Sequence, residues 1–291
     1  MKRLFSILFA ALLLLGSLSG CGNIPPRDGA EPAPPTERIE PTGEGLRVYC
    51  FAAGKADAFL LYTDSVAVLI DAGESGFGKT IVDKCAELGI GRIDCLIITH
   101  FDQDHVGGAK KVLAELPVTT VLQSNLPKDS AEYEKYIRQL EECGIRPITV
   151  REEMRLTLGG MTLTVDPPAR ETYRESPSNN SSLITTVEYG ATRLLFLGDA
   201  EDARLAEYIS SDPPHCDFVK IPHHGRGCKL LRNLLPIITP QVALITSSDD
   251  EPEDARTREM LEEYGARTFL TRVAPVTVFT DGTRLTAQYD S

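Results

Sequence analysis

The sequence predicts an α+β chain in which two mixed β-sheets pack face to face with helices on their outer faces. Three observations carry that expectation. Short β-rich runs alternate with amphipathic helical stretches along most of the chain. Both halves open with consecutive strands and continue as strand–helix alternation. And 291 residues, 42% hydrophobic and 25% charged, suffice to bury a sizeable core.

The first element is a targeting segment over residues 1–20. Lys2 and Arg3 form a charged start, "LFSILFAALLLL" is the apolar stretch, and the segment ends on "LSGC". That ending resembles the lipobox of bacterial lipoproteins, which implies lipidation of Cys21 and anchoring to the outer face of the cytoplasmic membrane. An ordinary signal peptide with an incidental Cys, or an uncleaved anchor, are the alternatives. Residues 21–45 are rich in Pro, Gly and Glu, without apolar period, and read as a tether. Residues 46–291 form the folded domain. No other run approaches the ~18 apolar residues needed to cross a bilayer.

Within the domain, "LRVYCF", "DAFLLYT" and "VAVLIDAG" predict an antiparallel meander. "GKTIVDKCAELG" places Ile81, Cys85 and Leu88 on one helical face, with Gly89 ending the helix. "DCLIIT" is a short buried strand. "DSAEYEKYIRQLEECG" has Asp129 and Glu132 at capping-box spacing and an apolar stripe from Tyr133 to Leu140. "MTLTVD", "SLITTVEY", "TRLLFLGD" and "CDFVKIP" predict further strands, "AEDARLAEYIS" and "RTREMLEEYG" helices, and "RTFLT" and "VTVFT" closing strands.

Net charge is −12, which argues against broad electrostatic capture of nucleic acid. Of 7 Cys, none forms a CxxC pair, so a cysteine zinc site is not expected. The histidines are more telling. The chain has 5, and four stand in loops that follow predicted strands. "IITHFDQDHVGG" holds His100, Asp102, Asp104 and His105 in six positions. "RLLFLGDA" ends a strand on Asp199, and "VKIPHHGR" ends another on His223 and His224. Side chains at strand ends converge, and imidazole nitrogen with carboxylate oxygen suits Zn²⁺ or Mn²⁺. A solvated polar loop with capping aspartates is the alternative reading of such a motif alone. His215, in "DPPHCD", reads as a surface residue.

HxDxDHxGG, then strand–Gly–Asp, then "PHHG" resembles the metallo-β-lactamase fold superfamily. Within it, "CFAAGKADAFLLYTDSVAVLIDAG" and "SNNSSLITTVEYGATRLLFLGD" resemble the extracellular hydrolase domain of the DNA-uptake protein ComEC and its free-standing relatives. The resemblance covers roughly residues 46–290. It implies an αββα sandwich and a metal-centred site at the strand ends. Carried over by position, His100 and Asp102 face a first metal, Asp104 and His105 a second, and Asp199 bridges them. His224 completes the second position, leaving His223 to meet a phosphate or leaving group. Asp104 and His223 are the catalytic candidates. Asp57 and Asp71 fill matching acidic positions, with Asp71 orienting a ligand from behind and Asn180 another supporting candidate.

This chain departs from the superfamily pattern at two places and from the ComEC-like relatives at two more, and the second His of the usual superfamily loop is here Asp102. There is no His between 106 and 214; Asn179, Asn180 or Ser181 stands where a third ligand is expected. The first position is therefore oxygen-rich and weak, which favours Mn²⁺ or partial occupancy over two tight Zn²⁺. Arg226 follows the HHG where relatives carry Ser, and a downstream YGHP motif is absent from "SSDDEPEDARTR". Arg226 and Lys220 are candidate phosphate contacts. The expected function is a cell-surface metal-dependent hydrolase, with phosphodiesters (a wall polymer, a small phosphodiester or DNA) as favoured substrates. A lactone, lactam or ester hydrolase, or a catalytically weak binding lipoprotein, are the alternatives.

Overall fold

The computed structural model describes residues 44–290. The signal segment, Cys21 and nearly all of the tether lie outside the described residues. The meander comprises β1 (Leu46–Cys50), β2 (Phe59–Tyr62) and β3 (Ala67–Ile70), each antiparallel to the next. α1 (Gly78–Glu87), β4 (Ile93–Ile98), α2 (Gln103–Val106), α3 (Ala109–Glu115), β5 (Val118–Gln123), α4 (Ala131–Glu142) and β6 (Ile148–Thr149) follow, and β3 to β6 run parallel. The second sheet starts as an antiparallel run: β7 (Met154–Leu158), β8 (Met161–Asp166), β9 (Ile184–Tyr189) and β10 (Thr192–Phe196). It turns parallel through α5 (Asp202–Ser210), β11 (Phe218–Lys220), α6 (Leu231–Ile238), β12 (Val242–Ile245), α7 (Ala255–Glu263) and β13 (Arg267–Leu270). β14 (Val276–Thr280) and β15 (Leu285–Tyr289) return to the first sheet, β14 pairing with β1. Strand order is β15-β14-β1-β2-β3-β4-β5-β6 in one sheet and β13-β12-β11-β10-β9-β8-β7 in the other.

The core explains the layering. Alternate residues of the two sheets, among them Val48, Leu61, Ile97, Leu163, Leu194 and Phe269, meet between them. The opposite strand faces bury helix stripes: Ile81, Cys85, Val112, Tyr136 and Leu140 on the first sheet, and Leu205, Leu231, Leu235 and Leu261 on the second. The result is the αββα sandwich that the pattern predicted.

Some local details differ from expectation. The N-cap of α4 is Ser130, whose Oγ accepts from the Tyr133 amide at 3.2 Å, so no Asp129 capping box forms. α6 carries Pro236 inside, which hid its apolar stripe (Leu231, Leu234, Leu235, Ile238) as a helix signal. β12 is only "VALI", too short for periodicity to speak. Five described cysteines are buried and free, and Cys143 is exposed.

Candidate metal centre

The site gathers the carboxyl ends of strands from both sheets. Asp71 follows β3, His100 follows β4, Asp199 follows β10, His224 follows β11 and Thr246 follows β12. Asp102, Asp104 and His105 come from the loop and short helix after β4. Gly107 and Gly108 let that segment press on the chain after β3, because a Cβ on Gly108 would strike the Ala72 carbonyl oxygen.

Asp71 and the two histidines after β11 take positive φ, at 56°, 47° and 55°. Non-glycine residues in that region store about 1–3 kcal/mol each, so the surrounding structure holds them there. The consequence at β11 is a sharp reversal. His224 turns inward and is buried; His223 turns to the rim with its side chain 28% exposed. His224 Nε2 lies 3.1 Å from Asp199 Oδ2 and 3.4 Å from Asp104 Oδ2. His105 Nε2 lies 3.3 Å from Asp199 Oδ1. The far nitrogens are fixed from behind. His105 Nδ1 meets Asp71 Oδ2 at 2.7 Å, and Asp71 in turn accepts from the Thr99 amide and hydroxyl. His224 Nδ1 meets Thr246 Oγ1 at 3.0 Å, and that hydroxyl donates to Asp57 Oδ1 at 2.7 Å.

Four inward atoms are left with no hydrogen-bond partner: His100 Nε2, His105 Nε2, His224 Nε2 and Asp199 Oδ1. Buried polar atoms are ordinarily satisfied, so these four mark room for a cation: His105 and Asp199 group with His100 on one side, and His105 with His224 and Asp104 on the other. Donors around a tetrahedral ion at ~2.1 Å stand ~3.4 Å apart, and the three separations His105–Asp199, His224–Asp199 and His224–Asp104 fall near that figure, the first two through different Asp199 oxygens. A mixed nitrogen and oxygen set of this kind fits Zn²⁺ or Mn²⁺.

Electrostatics follow the geometry. Burial opposes charge on His105 and His224, yet Asp199 and its neighbouring carboxylates raise both above the usual imidazole value. Burial, with the neighbouring His105, pushes His100 down to about 4. Burial also works against the Asp199 and Asp104 carboxylates, but the facing histidines hold both well below the usual range.

The remaining expected residues stand as follows. Asp102 Oδ1 carries Lys128 Nζ at 2.6 Å and the Ser178 hydroxyl, and sits 3.8 Å from His100 Nε2. His223 faces Glu201 Oε1 at 3.5 Å and Asn179 Nδ2 at 3.4 Å. Asn180 touches no ligand candidate; its amide spans the Glu175 carbonyl and the Arg204 amide, pinning the loop. Lys220 is fully buried beneath the site, its Nζ on Asp57 Oδ2, 3.0 Å from the Gly198 carbonyl and 3.6 Å from Asp199 Oδ1. It is an internal counter-ion rather than the phosphate contact expected, because an inward-facing β11 position leaves its ammonium no route to solvent. Arg226 lies at the rim, 3.5 Å from Glu251. Thr246, Lys55, Lys128 and Glu201 also border the site, none of them among the residues the sequence motifs single out. Lys55 sits 3.4 Å from Asp104, and none of the four carries a local signature. His215 is half-exposed and bonds Thr239 at 2.7 Å, away from the site.

A family profile of the metallo-beta-lactamase superfamily matches residues 52–225. The chain belongs to this superfamily. It is 27% identical over 173 residues to ComE operon protein 3 of Bacillus subtilis, across 58% of this chain and 22% of that protein. It is 23% identical over 203 residues to Recombination protein 2 of Haemophilus influenzae, across 68% and 24%. These matches support a ComEC-like relation, and the chain spans about a quarter of the length of these curated relatives. Among solved structures, the metallo-beta-lactamase fold protein YhfI from Bacillus subtilis superposes with a TM-score of 0.52 at 13% identity, over 78% of this chain and 96% of that one. CmlA, a diiron beta-hydroxylase from Streptomyces venezuelae, gives 0.50 at 17%, over 79% and 53%. At such identities these two likenesses show the fold alone.

Proposed function

We propose that this chain is a metal-dependent phosphodiesterase held at the outer face of the bacterial cytoplasmic membrane through a lipidated Cys21. The observation that carries the hydrolase reading is the set of buried, unpartnered donor atoms of His105, His224 and Asp199, with His100 Nε2 unpartnered beside them. Asp104, His105, His224 and Asp199 would hold Zn²⁺ or Mn²⁺. Such an ion supplies acidified water and neutralises charge developing on the substrate.

The chain's own residues do the rest. Asp71 and Thr246 hold the rings of His105 and His224 with Nε2 inward. His223, at the rim between Asn179 and Glu201, can pass a proton to a leaving oxygen. Lys55 and Arg226 share Glu251 beside Asp104, so positive groups stand at the mouth of the site despite the net charge of −12. Local cations on an acidic domain suit a phosphodiester held at one site better than a long stretch of DNA.

The test is a screen of protein reloaded with Mn²⁺ or Zn²⁺ against bis-p-nitrophenyl phosphate, a lactone and a β-lactam. Turnover of the phosphodiester, abolished by chelation, supports the proposal. Turnover of the lactone or lactam alone moves the substrate to a carboxylic derivative. Metal uptake without turnover of any of the three points to a binding lipoprotein.

A further inference from the structure

We infer that the site is built for one divalent ion, and that Lys128 occupies the carboxylate oxygen a second ion would need. This rests on the metal-dependent reading above.

The two positions are unequal in their donors. At the inner one, separations of 3.1–3.4 Å run in a chain from His105 to Asp199 Oδ1, from Asp199 Oδ2 to His224 and from His224 to Asp104, and Asp104, His105 and His224 offer ligand atoms within 4.8 Å of one another. At the outer one, His100 Nε2 needs Asp102 as its companion, since no other histidine reaches it except His105, which belongs to the inner set. The Asp102 oxygen nearest His100 is Oδ1. That same atom takes the Lys128 ammonium at 2.6 Å and the Ser178 hydroxyl. An ammonium on the atom an ion would use both fills the lone pairs and repels a second cation. Without Asp102 the outer position offers His100, His105 and Asp199, but His105 also belongs to the group with Asp104 and His224, so a second ion would have to take that histidine from the first.

Nothing local in the sequence marks Lys128, which follows Pro127 in the loop between β5 and α4. Its side chain is 36% exposed, so replacing it leaves the core untouched. Replacement would free Asp102 Oδ1 for an ion beside His100, with Ser178 still able to donate to the other oxygen.

The experiment counts ions. Metal-free wild type, Lys128→Met and Lys128→Arg are reloaded with Mn²⁺ or with Zn²⁺, then read by elemental analysis, titration calorimetry and the spin-coupled Mn²⁺ resonance signal of a paired site. Wild type and Lys128→Arg should hold one tight ion. Lys128→Met should hold two, the second roughly tenfold or more tighter than any second ion in wild type. Two tight ions in wild type, or a single ion in Lys128→Met, would overturn the inference while leaving the metal-dependent reading standing. Wild type that takes up neither ion removes that reading, and the inference with it.

Discussion

Asp71 Oδ2 lies 2.7 Å from His105 Nδ1, and the same carboxylate accepts from the Thr99 amide at 2.8 Å and the Thr99 hydroxyl at 2.6 Å. A buried carboxylate with three donors orients the ring and assigns its proton to Nδ1, leaving Nε2 to face the cluster. Asp71→Asn keeps the shape and removes the charge that selects this tautomer. Metal affinity should fall about 10–100-fold, the range for partners behind a ligating histidine. Calorimetric titration with Zn²⁺ checks this; unchanged affinity would assign Asp71 to loop structure alone.

Asp199 faces His105 and His224 together, one through each carboxylate oxygen. Asp199→Asn should weaken metal uptake and lower phosphodiester turnover by roughly two orders of magnitude or more, the scale for an oriented electrostatic group. Glu142→Gln, at the exposed end of α4, is the control and should leave both unchanged. Full metal content and full activity in Asp199→Asn would leave the hydrolase reading without its centre.

Lys220 and Asp57 form a fully buried pair. Removing one member strands a charge in the interior, which typically costs 3–5 kcal/mol. Lys220→Met should lose about that much in denaturant unfolding of the metal-free protein. Lys220→Met combined with Asp57→Asn should recover a good part, because the stranded carboxylate is then neutral. If the double variant is no more stable than Lys220→Met, the pairing energy is not the cause.

His105 and His224 have raised pKa values in the metal-free protein, so near neutrality they carry more proton than free imidazole does. A metal needs the neutral ring; its uptake should release protons, and its affinity should rise with pH. Calorimetry in buffers of different ionisation heat reads the release, and identical heats in all buffers would contradict it. The sign for stability follows from the same shifts. A raised folded pKa stabilises fully below ~6.5, the unfolded value, and the contribution is lost as pH climbs through the folded value. Metal-free protein should therefore lose stability on moving from neutral to alkaline pH.

Cys21 lies outside the described residues, and its lipidation is tested in cells. Cys21→Ala should release the protein from membranes or block its processing, read by fractionation and gel mobility. A variant that fractionates and migrates like wild type would remove the lipoprotein reading.

The layered α+β architecture, and the residues delivered to one end of it, are legible in the order of the amino acids. That information is local. Hydrophobic period marks the strands, and His100, Asp199 and the His223–His224 pair each stand in the loop just after a strand, so they share an end of the sheets once the strands run parallel. Tertiary structure decided what no short window holds. Thr246 reaches Asp57 across 189 positions, and β14 pairs with β1 from opposite ends of the domain. Lys128 and Asp102 meet only because the loop after β5 lies beside the loop after β4. The choice between His223 and His224 depends on two consecutive left-handed residues, a strained conformation that composition does not announce and that packing against Thr246 and Asp199 maintains. Lys220 shows the limit most sharply. A lysine reads as a surface cation by composition, and only its strand's direction and the carboxylates of Asp57 and Asp199 make it an internal one.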